Sequence, residues 1–345
     1  MKTRRGFLAA VGGSAPILLG MTNKSGSANP ILGSGEHQYE CIHDWGVLPP
    51  EIKYGNTHGV CEDAEGHIYV HHTVNAASQS DDTMVVFDHK GKFVRSWGKE
   101  YKGGAHGLLI RKEGSQQFLY LCDIKNDRVV KTTLTGEHVW KIGYPNESPA
   151  YQPDSDGKKK KYIPTNLAVA PNGDIYVGDG YGSSYINHYN KDGKYLRTFG
   201  GLGSEPGQLN CPHGIICDTR GTEPILMIAD RTNHRIQTFS LDGKHLSFIG
   251  GTNLPCYFWF NRKGDMTVVP DLGARVTLLD RNNQVIEHLG DDSEANDWNK
   301  LRIMSRDHFR PGKFVCPHGA CFDHRGNIFV VEWVEVGRVT KLRRV

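Results

Sequence analysis

Six positions, His58, His106, Thr165, His213, Cys256 and His318, are each followed eight residues later by a glycine: Gly66, Gly114, Gly173, Gly221, Gly264 and Gly326. A register that returns six times restricts the fold to an array of like units, because each unit has to bury its apolar faces against its neighbours. Each unit runs through the same pattern of shared position, apolar run, glycine turn, second apolar run, polar turn, third run, glycine turn and fourth run. The third unit shows it most plainly. Asn166–Ala170, Asp174–Gly178, Tyr185–Asn190 and Tyr195–Phe199 are separated by Pro171-Asn172-Gly173, Asp179–Ser184 and Lys191-Asp192-Gly193, which are turn-forming by composition. Four antiparallel strands recurring every ~45 residues predict an all-β fold, a six-bladed β-propeller spanning residues 38–345.

The unit endings predict how the blades close into a circle. Trp97-Gly98, Ile142-Gly143, Phe199-Gly200, Ile249-Gly250 and Leu289-Gly290 end units one to five, whereas unit six reaches Val345 with only three strands. Tyr39–Asp44 followed by Trp45-Gly46 has the same ending and precedes the first unit. It is expected to complete blade six by main-chain hydrogen bonds between the two ends of the chain. Residues 29–37 read as a linker. Over residues 1–28, Thr3-Arg4-Arg5-Gly6-Phe7-Leu8, an apolar stretch from Phe7 to Met21 and small residues ending at Ala28 read as a twin-arginine export signal peptide. That apolar stretch is shorter than the ~20 residues a spanning helix needs, so no stable membrane anchor is expected and the mature protein is placed in the periplasm or outside the cell.

Composition excludes one class of partner. With 41 basic and 38 acidic residues and no aromatic-plus-basic stripe, nucleic-acid binding is not expected. The eight cysteines would lie in a compartment that permits disulfides, but Cys61, Cys217 and Cys321 fall inside predicted first strands, where buried thiols serve as well as bridges.

In a propeller blade the first strand lines the central channel, so the shared position opens at one mouth. His106, His213 and His318 belong to alternate blades and lie about 120° apart around a six-membered ring. Three neutral imidazoles converging with open coordination positions form the ligand set of a catalytic zinc or another borderline divalent metal. His58 is left open as a fourth ligand, a group behind the ligands or a structural histidine. Cys256 is expected to pack rather than ligate. The antiparallel second strand returns to the same mouth, which brings His72, Asp179, Tyr181, Asp230, Arg231 and Glu332 around the shared positions. The two longest connections, Tyr144–Tyr162 and Asp291–Phe314, are expected to overhang that mouth.

The Asp-Gly-Lys turns at Asp192–Lys194 and Asp242–Lys244, with Asn233-His234-Arg235-Ile236 and Asn126-Asp127-Arg128-Val129, are similar to NHL repeats. A more specific resemblance lies in the order His106-Gly107-Leu108, Asp179-Gly180-Tyr181, Pro212-His213 with Ala229-Asp230-Arg231, and Pro317-His318. This order resembles the peptidyl-α-hydroxyglycine α-amidating lyase family. The resemblance implies that the three histidines hold the catalytic metal, that Tyr181 is the base, and that Arg231 and His72 face the substrate. It implies a structural calcium on the carbonyls of Val60 and Leu108, although the aspartate expected after the third metal histidine is Gly319 here. Thr73 stands where the family has an arginine, and Gly182 where it has a cysteine.

These readings describe an exported, monomeric, metal-dependent lyase acting on a small-molecule or peptide-end substrate that carries a hydroxyl. The rivals are a propeller serving only as a scaffold, and a calcium-dependent lactonase or esterase, whose site would need inward carboxylates.

Overall fold

The computed structural model describes residues 29–345. The export signal read over residues 1–28 lies outside them. Six antiparallel sheets follow one another along the chain. Blade one consists of Thr57–Glu62, Ile68–His72, Met84–Phe87 and Phe93–Trp97, and blades two to five repeat that order. In blade three the strands are Asn166–Val169, Ile175–Gly178, Tyr185–Tyr189 and Tyr195–Gly200, each within a residue of its sequence reading at either end.

Blade six takes Pro317–Phe322, Ile328–Glu332 and Arg338–Arg344 from the far end of the chain and Tyr39–Ile42 from the near end. Tyr39 pairs with Arg344 and Ile42 with Lys341, so the expected closure is present. Ile31–Leu32, inside the segment read as a linker, adds a fifth edge strand by pairing with Tyr39 and Glu40.

Alternation along each strand explains why the apolar runs are nearly continuous. Successive side chains point to opposite faces, and in a propeller both faces of a blade are covered by neighbours. Ile68 and Val70 accordingly pack towards blade six, whereas Tyr69, between them, packs towards blade two. A buried apolar cluster of this kind lies between every adjacent pair of blades. The outermost strands keep more partly exposed residues, as in Phe93–Trp97.

The glycine register has a backbone cause. Five of the six turn glycines have φ between 59° and 90°, the left-handed region that favours glycine. Gly221 does not, and its turn is longer, with the second strand of blade four beginning only at Ile225. No helix among the described residues is long and apolar enough to cross a membrane.

Candidate metal centre

Four histidines meet at one mouth of the channel. Ring centroids of His58 and His106 lie 4.8 Å apart, His106 and His213 4.9 Å, His213 and His318 4.6 Å, and His58 and His318 4.6 Å. Three of them are anchored identically. Nδ1 of His106 lies 2.6 Å from the carbonyl oxygen of Thr165, Nδ1 of His213 2.8 Å from that of Cys256, and Nδ1 of His318 3.0 Å from that of His58. In each case the acceptor is the residue at the shared position of the next blade.

This anchoring also accounts for the His-Gly dipeptide. A Cβ on Gly107, Gly214 or Gly319 would come within 2.6 Å, 2.4 Å and 2.5 Å of those same three carbonyl oxygens. The glycine lets the neighbouring blade approach closely enough for its carbonyl to receive the histidine's proton.

A carbonyl can only accept, so Nδ1 of each of these histidines carries the hydrogen and each Nε2 is a bare acceptor. The Tyr181 hydroxyl stands 3.1 Å from Nε2 of His106 and 3.0 Å from Nε2 of His213. One hydroxyl hydrogen can serve only one of the two. His58 Nδ1 lies 3.4 Å from Nε2 of His318, and it has to be the donor there. Three buried lone pairs therefore converge on fewer hydrogens than they need. Burial holds all four histidines well down from their ordinary range, His318 at about 3, helped by repulsion from neighbouring imidazolium charges at His58, His106 and His213 and from Arg231 at His106, His213 and His318, so protonation does not supply the missing hydrogens. A divalent cation is what such a donor set fits.

The donor atoms fall into two overlapping groups. His58, His106 and His318 form one, and His213, Cys256 and His318 the other, each with its ligand atoms within 4.8 Å of one another. The expected trio of His106, His213 and His318 is thus present but shared between the groups, with Tyr181 Oη wedged between two of its members. Cys256, expected only to pack, places its sulfur among candidate ligands. His58 lacks the anchoring of the other three, since its Nδ1 turns to another histidine.

Tyr181 and Arg231 reach the centre as expected. The Arg231 guanidinium lies 5.3 Å from the Tyr181 ring centroid and its Nη1 is 3.4 Å from the hydroxyl. Burial pushes the Tyr181 phenol up to about 12, against the pull of Arg231. Arg235, not Arg231, pairs with Asp230.

His72 does not join the cluster. Its Nδ1 accepts the N–H of Val74 at 3.1 Å, and its ring meets Tyr54 edge-on at 4.9 Å. The register gives the reason. His72 pairs with Thr57 as Asp123 pairs with Ala105, Asp230 with Pro212 and Glu332 with Pro317, so it occupies the carboxylate position of blade one.

Those carboxylates line the same mouth but are consumed by the fold. Asp230 accepts from Asn210 N, Arg235 Nε and Gln237 Nε2; Glu332 accepts from Val315 N, Cys316 N and Arg338. Asp179 accepts from the Tyr151 hydroxyl and from Ile163 N and Ser183 N, while burial still raises it to about 7. They lie around the shared positions as expected, but tie down the chain that leads into the channel strands.

The two long connections do reach this mouth. Tyr151 and Tyr162 are buried within the 144–162 segment, and Leu301 of the helical turn Trp298–Leu301 packs with Cys256, Val315 and Cys316. Calcium does not fit its expected place, because the Leu108 carbonyl accepts the Tyr257 hydroxyl at 3.3 Å and Gly319 brings no carboxylate. All eight cysteines are free thiols.

Comparison with known proteins returns the same two likenesses. No family model matches the chain. Mouse peptidyl-glycine alpha-amidating monooxygenase is 31% identical over 172 residues, covering 48% of this chain and 16% of that protein. A probable peptidyl-alpha-hydroxyglycine alpha-amidating lyase of Caenorhabditis elegans is 26% identical over 275 residues, covering 72% of this chain and 71% of the relative. Human NHL repeat-containing protein 3 is 27% identical over 207 residues, 56% of this chain and 54% of its own length. The chain spans less than a fifth of the amidating monooxygenases it matches. A gluconolactonase from Xanthomonas campestris superposes with a TM-score of 0.60 at 13% identity, over 92% of this chain and 96% of that one, a likeness of fold alone.

Proposed function

We propose that this chain is a metal-dependent lyase that cleaves the C–N bond of an α-hydroxyglycine-type substrate into an amide and a glyoxylate-type aldehyde. The observation that carries the reading is the threefold anchoring of His106, His213 and His318. Each gives its Nδ1 hydrogen to the next blade, which leaves three Nε2 lone pairs at one mouth of the channel, those of His106 and His213 beside the Tyr181 hydroxyl. Those histidines would hold a zinc or similar ion, which when bound supplies a Lewis acid that lowers the pKa of a substrate hydroxyl.

The protein's own groups supply the remainder. Arg231 pairs with the substrate carboxylate, and its charge over the Tyr181 ring favours the phenolate form. Tyr181 Oη takes the proton of the substrate hydroxyl as that oxygen becomes the aldehyde carbonyl. The C–N bonding pair leaves with nitrogen, and the proton held at Tyr181 Oη is returned there to complete the amide. Burial of the centre keeps water from competing for that proton.

The relatives named as amidating lyases support this reading, and the absence of any carboxylate from the ligand groups among the described residues weighs against a calcium lactonase. Export through the twin-arginine route belongs to the same proposal and rests on Arg4-Arg5 and the apolar stretch that follows. The test is release of glyoxylate from an α-hydroxyglycine amide by zinc-loaded protein. Turnover that is lost on chelation and restored by zinc is expected. Inert behaviour towards that compound with zinc stoichiometrically bound would remove the reaction from the account.

A further inference from the structure

The shared position of blade five is occupied by Cys256, which lies on the ring between the histidines of blades four and six. Cys256 is completely buried, and its sulfur lies within 4.8 Å of the ligand atoms of both His213 and His318. Its main chain belongs to the same centre, because the Cys256 carbonyl fixes the tautomer of His213. The sulfur meets the Leu254 carbonyl at 3.5 Å, a weak partner for a thiol, and the Arg231 side chain stands beside it. The side chain otherwise packs with Leu272, Leu301, Val315, Cys316 and Val334.

We infer that Cys256 is a sulfur ligand of the metal, acting with His213 and His318. The inference rests on the reading that a metal is held at this mouth, and it changes the chemistry of that metal. An all-imidazole set accepts a range of borderline divalent ions, whereas a thiolate shifts the preference towards zinc and other thiophilic ions and away from magnesium, manganese and calcium. His318 is common to both donor groups, so the sulfur brings the ion to the blade-four-to-six side of the centre, next to Arg231. A neighbouring guanidinium offsets the thiolate's charge, which a ring of neutral histidines cannot do.

The test is X-ray absorption spectroscopy on the full-length mature protein loaded with one equivalent of zinc. The wild type should show one sulfur at about 2.3 Å together with nitrogen at about 2.0–2.1 Å. The sulfur shell should vanish in Cys256→Ser and in Cys256→Ala, and persist in Cys217→Ser. Cobalt-loaded wild type should also show thiolate charge-transfer absorption in the near ultraviolet that both Cys256 variants lose. Stoichiometric zinc with a nitrogen and oxygen shell only, or a sulfur shell that survives Cys256→Ser, overturns this inference and leaves the lyase reading standing. Wild-type protein that retains no zinc overturns both.

Discussion

Two rings of polar side chains face the same mouth of this propeller, and they differ in how their hydrogen-bonding capacity is met. In the ring at the ends of the second strands, the carboxylates of Asp123, Asp179, Asp230, Asp271 and Glu332 are buried and bonded to main-chain N–H groups, arginines and neighbouring side chains, while His72 accepts one main-chain N–H and leaves its buried Nε2 without a partner. The ring at the channel strands is buried too, yet its three anchored histidines keep bare Nε2 atoms with too few hydrogens between them. Equal burial with unequal satisfaction separates a part that holds the fold from a part that is available for chemistry.

If that distinction is right, changes in the two rings should appear in different measurements. The largest effect expected on activity is that of Tyr181→Phe, which should lower turnover by roughly 10²–10⁴-fold, the usual worth of a positioned acid or base. Zinc content and melting temperature should stay at wild-type values. Equal turnover in the variant would take the tyrosine out of the reaction. In the other ring, Glu332→Gln leaves the buried Arg338 guanidinium without its carboxylate and should cost about 3–5 kcal/mol in denaturant unfolding, with zinc stoichiometry unchanged in the folded fraction. Loss of zinc without loss of stability would reverse the assignment of the two rings.

A smaller effect should appear with pH. Burial holds His43 at about 4 and His72 at about 3, whereas in the unfolded chain both titrate near the ordinary 6.5. The unfolded chain therefore takes up protons that the folded chain refuses. Stability should be full above pH 6.5 and fall as pH drops towards 4, by about 1.4 kcal/mol per pH unit for each such histidine. Asp179, raised to about 7, works in the opposite direction with a single proton. Urea midpoints at pH 8 and pH 5 check this, and a flat profile down to pH 4.5 would contradict it.

The blade pattern was legible because alternation and turn glycines are local properties. Asn190 shows how local, since its side-chain oxygen accepts N–H groups from Asp192 and Lys194 and closes its turn within five residues. The convergence of His106, His213 and His318 could also be read, because a single position in a repeat fixes where a side chain emerges. What could not be read was which polar groups spend themselves on neighbouring blades. His72 lies beside the mouth as its register position requires, but blade one has no carboxylate at that position and the histidine takes over its role of accepting main-chain hydrogen. Cys256 illustrates a related limit, since it packs as expected with Leu301, Val315 and Cys316 while its sulfur also lies near two candidate ligands. Its residue type suggested packing, while its slot placed it between two candidate ligands. The reason for His-Gly, a carbonyl from the next blade pressed against the glycine, depends on contacts 43, 59 and 260 residues away in sequence, and no spacing within one unit encodes them.

The central claim is that the Nε2 atoms of the alternate-blade histidines hold a metal. Elemental analysis of purified mature protein tests it most directly, with the single variants His213→Ala and His318→Ala beside the wild type. The account expects one zinc or similar divalent ion per chain in the wild type, and its loss in both variants while the melting transition stays cooperative. A wild-type protein with no stoichiometric metal, or variants that retain it in full, would contradict the account.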